Sequence, residues 1–209
     1  GTTTNTSVVA NGVDLAYFSA LKKKLPKDPT VLFVGTFKWL PNKEAVEEIV
    51  TKIWPLIKAK LPSAKLKIVG FSPTPRIQSF ASDPSIEGLG AIKDIRDAFA
   101  TSHMLLAPIR SGKGTRYKVL EAMITGTPVV ATSLAAEGIE LTDGQNVLIA
   151  DTVADLAEST VRLLKDNALQ TKLGAAGQSV VKRSYSWDGI ARQLDAVYQE
   201  FKNSKYKKS

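Results

Sequence analysis

Apolar positions in this chain fall into short, near-continuous runs separated by longer stretches of helical periodicity. Val31–Val34, Leu66–Val69, Ile86–Leu89, Met104–Ala107, Pro128–Ala131 and Asn146–Ile149 read as strands, and the first two end in Gly35 and Gly70. Between them, 44–60 carries Val46, Ile49, Val50, Ile53, Trp54 and Ile57 at helical spacing, with Pro62 closing the helix. Shorter helices are predicted over Pro75–Ala81, Ile95–Ala100 and Arg116–Ile124, and longer ones over 152–165, 168–183 and about 187–202. Val8–Asp14 reads as a short strand and turn.

Near-continuous apolar strands, alternating with helices, are buried on both faces. This predicts an α/β domain of Rossmann-like topology: three α/β/α layers around a parallel sheet of about six strands. In such sheets ligands sit outside the carboxyl ends of the strands. That rule gathers Gly35–Lys43, Gly70–Pro73, Gly90–Asp94, Pro108–Lys118 and Thr132–Glu140 on one rim.

Composition narrows the chemistry. With 209 residues and 44% hydrophobic content, the chain can bury a full core. No run approaches the roughly 18 apolar residues of a membrane span, and no secretory pattern opens the chain, so a cytoplasmic setting is expected. No cysteine is present, which removes disulfides and thiolate metal sites, and a single histidine, His103, precludes a histidine cluster. His103 stands just before an apolar strand and reads as structural. The net charge is +8, part of it a tail of Lys202, Lys205, Lys207 and Lys208. The tail reads either as a frayed solvated end or as a peripheral contact with an anionic membrane at its inner face, worth about 1 kcal/mol per lysine. No aromatic-interleaved basic patch points to nucleic acid. Gly1 and the polar run after it read as the start of a domain cut from a longer protein.

The candidate chemistry centres on Gly112-Lys113-Gly114-Thr115-Arg116-Tyr117-Lys118-Val119-Leu120-Glu121-Ala122-Met123. A glycine-rich turn runs into a helix whose first turns carry two cations and a carboxylate. Helix N-termini offer unpaired N–H groups and partial positive charge, so phosphates settle there. The P-loop pattern fails, because Ala107 holds its first glycine position and Gly114 follows Lys113. No Gly-x-Gly-x-x-Gly follows the first strand, so a dinucleotide dehydrogenase is unsupported.

Taken together, the motifs resemble the donor-binding half of a group 1, family 4 glycosyltransferase, one half of the two-domain GT-B architecture. The resemblance rests on Val9-Ala10-Asn11-Gly12-Val13-Asp14 as interdomain segment, Leu32-Phe33-Val34-Gly35, Gly88-Leu89-Gly90-Ala91-Ile92-Lys93-Asp94, Glu121-Ala122-Met123 and Gly126-Thr127-Pro128-Val129-Val130-Ala131-Thr132. It implies a nucleoside diphosphate sugar as donor and no cofactor or metal; the sequence has no Asp-x-Asp pair. Arg116 and Lys118 would hold the diphosphate, assisted by backbone N–H groups of Gly114 and Thr115. Glu121 would accept the ribose hydroxyls. Past the Gly35 turn, Lys38 or Lys43 would supply the cation the family places there. Ile92 and Lys93 would meet the base, and Glu137 the sugar. Each has a plainer reading: a solvated first turn for Arg116, an ion pair with Lys118 for Glu121, a helix-start residue for Lys43, a loop carboxylate for Glu137.

One departure stands out. The family's sugar-contacting glutamate falls on Lys113, in a Gly-x-Gly-Thr-Arg-x-Lys variant. The expected organisation is a lead-in over 1–28, a donor-binding domain over 29–186 and a terminal helix with basic tail over 187–209. The expected reaction is retaining transfer of a sugar to an acceptor hydroxyl, with the acceptor site in a missing N-terminal domain. Trp187, Ile190, Leu194, Val197, Tyr198 and Phe201 share a helical face, read as core or as an interface with that missing half. A nucleotide-sugar epimerase of similar build and a non-catalytic nucleotide-binding module are the alternatives.

Overall fold

Six parallel strands lie in the order β3-β2-β1-β4-β5-β6. In the computed structural model, which describes residues 6–206, they are β1 (Thr30–Val34), β2 (Lys65–Val69), β3 (Ile86–Gly90), β4 (Met104–Ala107), β5 (Val129–Ala131) and β6 (Leu148–Ile149). The order reverses between β1 and β4, whose register pairs Val31 with Met104 and Leu32 with Leu105. A doubly wound sheet opens a crevice at such a switch point.

The helices are α1 (Leu15–Ser19), α2 (Leu40–Glu48), α3 (Trp54–Lys60), α4 (Pro75–Ser79), α5 (Ile95–Ala100), α6 (Tyr117–Ile124), α7 (Ser133–Ala136), α8 (Val153–Lys165), α9 (Asn167–Ser184) and α10 (Trp187–Tyr206). A π-helical turn over Ile49–Ile53 joins α2 to α3 in one continuous rod. The core is made by the strand side chains and the inward helix faces, with Phe33, Trp54, Leu66, Phe99 and Leu105 almost wholly buried. Burial of this kind contributes about 1.5–3 kcal/mol per large side chain.

Several expectations need correction. The helix expected from residue 44 begins at Leu40, because Pro41 fits a first helical turn. Val8–Asp14 is not a strand: Val8 is 94% exposed, and only Val13 bridges to Ser186. Two short helices are hidden from periodicity by their length: α1, capped by Asp14, and α7, capped by Thr132. α10 continues to Tyr206, so Lys202 and Lys205 lie within a helix rather than a frayed end. Gly1, the Thr2–Asn5 run, Lys207 and Lys208 lie outside the described residues. Among those described, no helix is long and apolar enough to cross a membrane.

The lead-in is fastened to the domain at several points. Tyr17 donates to Asp94 at 2.8 Å, and the Arg96 guanidinium stacks on the Tyr17 ring at 4.1 Å. Lys23 donates to the carbonyl oxygen of Phe99 at 2.9 Å, and partial burial of its ammonium lowers its pKa to about 8. His103 is structural: the Thr30 N–H donates to its Nδ1 at 3.0 Å.

Candidate functional site

The crevice at the switch point holds a cavity of about 920 Å³, large enough for a cofactor-sized or drug-sized ligand. Its floor is the close meeting of the β1 and β2 ends. A Cβ on Gly70 would come 1.7 Å from the Gly35 carbonyl oxygen, so no side chain fits there. One wall is the glycine-rich loop from Gly112 to Arg116 and the first turns of α6; opposite it are Ala91, Ile92 and Ile95. Gly114 has φ +111°, a conformation that favours glycine and keeps the loop backbone open toward the cavity.

Arg116 stands at the N-cap of α6, and no side chain caps that first turn. The first N–H groups of α6 are therefore left for a ligand. Arg116 donates to the Gly112 carbonyl oxygen at 2.7 Å, which shapes the loop from within. Burial lowers its pKa, opposed by the nearby charge of Glu137. Two residues on, Lys118 is more enclosed. Its Nζ lies 2.6 Å from Asn42 Oδ1 and 4.4 Å from the centroid of the Phe33 ring. Burial, reinforced by the Arg116 charge, lowers its pKa to about 7, with Glu121 opposing. Burial likewise raises the Glu121 carboxyl, against the pull of Lys118.

Of the residues singled out in the sequence, Gly35, Ile92, Gly114, Thr115, Arg116, Lys118 and Glu121 line this cavity, as does Lys113. Lys38, Lys43, Lys93 and Glu137 do not; Lys38, Lys93 and Glu137 are exposed. At the start of α2, Asn42 lines the cavity where the resemblance implies a cation, and Lys43, one position on, does not. Sequence reasoning also missed the aromatic rim. Trp39, Phe71 and Tyr117 line the mouth at 69%, 61% and 42% exposure, and exposed aromatics grouped at one opening are the signal that finds them. Asn11 of the lead-in donates to Thr115 Oγ1 at 2.6 Å, tying that segment to the glycine-rich loop.

The neighbouring ion pairs hold the loops rather than fill the cavity. Ser111 donates to Glu44 at 2.7 Å, and Arg110 pairs with Glu48 at 3.0 Å. Among the described residues, no ion pair involves Lys113, Arg116 or Lys118. A second cavity of about 720 Å³ lies on the flank of α9, but its Glu140 and Arg183 are already paired with each other at 2.7 Å. The crevice is where uncompensated positive charge, free helix-end N–H groups and an enclosed carboxylate converge.

Known proteins share this arrangement of chain. The C-terminal domain of a glycosyl transferase group 1 family protein from Francisella tularensis superposes with a TM-score of 0.64 at 20% identity, over 84% of this chain and all of that one. Sucrose-phosphate synthase from Thermosynechococcus elongatus gives a TM-score of 0.74 at 22% identity, over 94% of this chain and 52% of that chain. In sequence, phosphatidyl-myo-inositol mannosyltransferase of Mycobacterium leprae is 32% identical over 176 residues, 81% of this chain and 46% of the relative. The chain spans about half the length of the curated relatives it matches. The profile described as "Glycosyl transferases group 1" fits residues 28–166, from just before β1 to the end of α8 and so across the whole sheet. On that match, this α/β domain belongs to the group 1 glycosyltransferases.

Proposed function

We propose that the chain is the donor-binding half of a retaining glycosyltransferase that moves a hexose from a nucleoside diphosphate sugar to an acceptor hydroxyl. The observation that carries this reading is the convergence of Arg116, Lys118 and the open N-terminus of α6 on one cavity, with Glu121 a turn further along. As the bond to the anomeric carbon breaks, negative charge grows on the departing diphosphate. Cations and helix-end N–H groups already in place stabilise that charge without reorganising, and each such donor is worth about 10²–10³ in rate. These groups do the work a divalent metal would do elsewhere, so the scheme calls for no resident cofactor.

Glu121, with two acceptor oxygens, suits the ribose diol. Mannose is the sugar named for the mycobacterial relative, whose name also carries a phosphatidylinositol acceptor; a mannosyl donor is the first to test here. In this reading acceptor binding falls to the half of the relatives that this chain does not span, so the 209 residues bind nucleotide without efficient transfer. Calorimetry with UDP, GDP, ADP and TDP tests the reading. One base should bind, and Arg116→Ala should weaken it at least about tenfold, the loss of one charge-assisted hydrogen bond. Absence of binding by all four nucleotides would overturn it.

A further inference from the structure

Asn42 has no assigned role, yet it is the side chain on which the enclosed cation of the site rests. It occupies the third position of α2 and lies directly over the Gly35 turn. A Cβ at Gly35 would come 2.7 Å from Asn42 Cγ, so the glycine makes room for the amide. Asn42 Nδ2 donates to the Thr36 carbonyl oxygen at 2.9 Å. With the nitrogen committed to a carbonyl, Oδ1 is the atom that faces Lys118, and it accepts from Nζ at 2.6 Å. The amide is thus held on one side by the β1–α2 loop and holds α6 on the other.

We propose that Asn42 is a positioning residue: its amide aims the Lys118 ammonium at the donor's diphosphate without presenting a counter-charge that the diphosphate would have to displace. This rests on the donor-binding reading above. An ammonium has three N–H groups. Asn42 takes one and the Phe33 ring face attracts the charge from a second side, which leaves a donor for a phosphate oxygen. A carboxylate at position 42 would hold the lysine more tightly, but it would cancel the charge the ligand needs. A leucine would leave the ammonium enclosed without an acceptor.

The charged groups around Lys118 are few. α6 contributes Arg116 and Glu121, and the glycine-rich loop contributes Lys113 to the same cavity. β1 presents Phe33, and α2 presents Pro41 and the neutral Asn42; of its charged residues, Lys43 lies off the lining, Glu44 is bonded to Ser111, Glu47 to Arg76 and Glu48 to Arg110. A diphosphate arriving in that setting draws a proton onto Lys118. Nucleotide affinity should therefore fall as pH rises above about 7, by at most tenfold per pH unit.

Two measurements test this. First, Lys118 is titrated by NMR in chains labelled at lysine Cε, its resonance being the one lost in Lys118→Met. Asn42→Asp should raise the midpoint by more than about one pH unit, and Asn42→Leu should lower it. Second, UDP and GDP affinities are measured from about pH 6 to 9. Asn42→Asp should weaken binding about tenfold at the acid end and flatten the pH dependence, and Asn42→Leu should move the fall in affinity to lower pH. A merely structural asparagine would lower stability and leave both midpoints in place, and that result would overturn the proposal. If neither nucleotide binds the unaltered chain, the donor reading and the aiming at a diphosphate fall together. If nucleotide binds but the Lys118 midpoint is indifferent to residue 42, only the role of Asn42 falls.

Discussion

Replacing Lys118 by methionine should make the domain more stable and a worse nucleotide binder. An enclosed ammonium with a neutral amide for a partner is held at a cost. Lowering its pKa from an ordinary 10.5 to about 7 corresponds, at about 1.4 kcal/mol per tenfold, to a ceiling of about 5 kcal/mol. Lys118 is not wholly buried, and the thioether side chain would leave Asn42 Oδ1 without its donor, a loss of about 1 kcal/mol. The expected net gain is about 2–3 kcal/mol, or about 5–10 °C in Tm for a domain of this size. The sign with pH follows from linkage. Folding lowers this pKa, so between about 7 and 10.5 the unfolded chain binds more protons, and the stability of the unaltered protein rises with pH. The advantage of Lys118→Met should be largest at or below about pH 7 and shrink toward pH 10.5. Lys23, lowered to about 8, adds a similar slope to both proteins and cancels in the difference. Thermal melts at about pH 6.5 and 9.5 read the gap directly. A variant that melts lower than the parent, or a gap that does not narrow with pH, would refute the reasoning.

Three other substitutions probe separate links. Gly70→Ala drives a methyl group into the Gly35 carbonyl and the Phe37 ring; it should cost about 3 kcal/mol or more and abolish nucleotide binding, so an unchanged urea midpoint would contradict the close approach. Ser72 has φ +57°, so Ser72→Gly should stabilise by about 1 kcal/mol, read as a higher urea midpoint at constant slope. Glu121→Gln should weaken nucleoside diphosphates several-fold while sparing inorganic pyrophosphate; equal effects on both would remove Glu121 from the ribose.

The middle of the sheet was legible because β1, β4 and β5 are apolar on both faces, so Met104–Ala107 stands out in any window and falls where expected. That Arg116, Lys118 and Glu121 would line one cavity was legible because they fall within the first turns of one helix, where chain order and spatial order coincide. The contribution from the start of α2 was not. A search by charge finds Lys38 and Lys43, whereas the residue that enters the cavity is the uncharged Asn42. An asparagine in a first helical turn looks like any solvated polar residue. Its significance lies in a contact with Lys118, 76 residues away, that exists only once β1 and β4 lie side by side. Val8 failed in the opposite sense: β-branched residues suggest a strand, but Val8 is exposed and belongs to none of the six strands.

The same economy explains where the carboxylates of the domain went. Glu44, Glu47, Glu48, Asp94 and Asp151 stand near the ligand rim, and each is engaged in fastening: Glu44 to Ser111, Glu47 to Arg76, Glu48 to Arg110, Asp94 to Arg96 and Asp151 to Ser133. Each bond joins two segments or caps a helix, and as surface pairs they contribute little stability apiece. Their combined effect is on charge, because carboxylates spent on the rim are not available inside it. Lys118 is therefore left to the repulsion of Arg116, moderated by Glu121, which burial itself pushes toward its neutral form, while the exposed Glu137 moderates Arg116. Under the function proposed above, a site built this way would be relieved of that repulsion when a diphosphate binds. That is the behaviour required of a group that must grip a diphosphate more firmly as its charge grows.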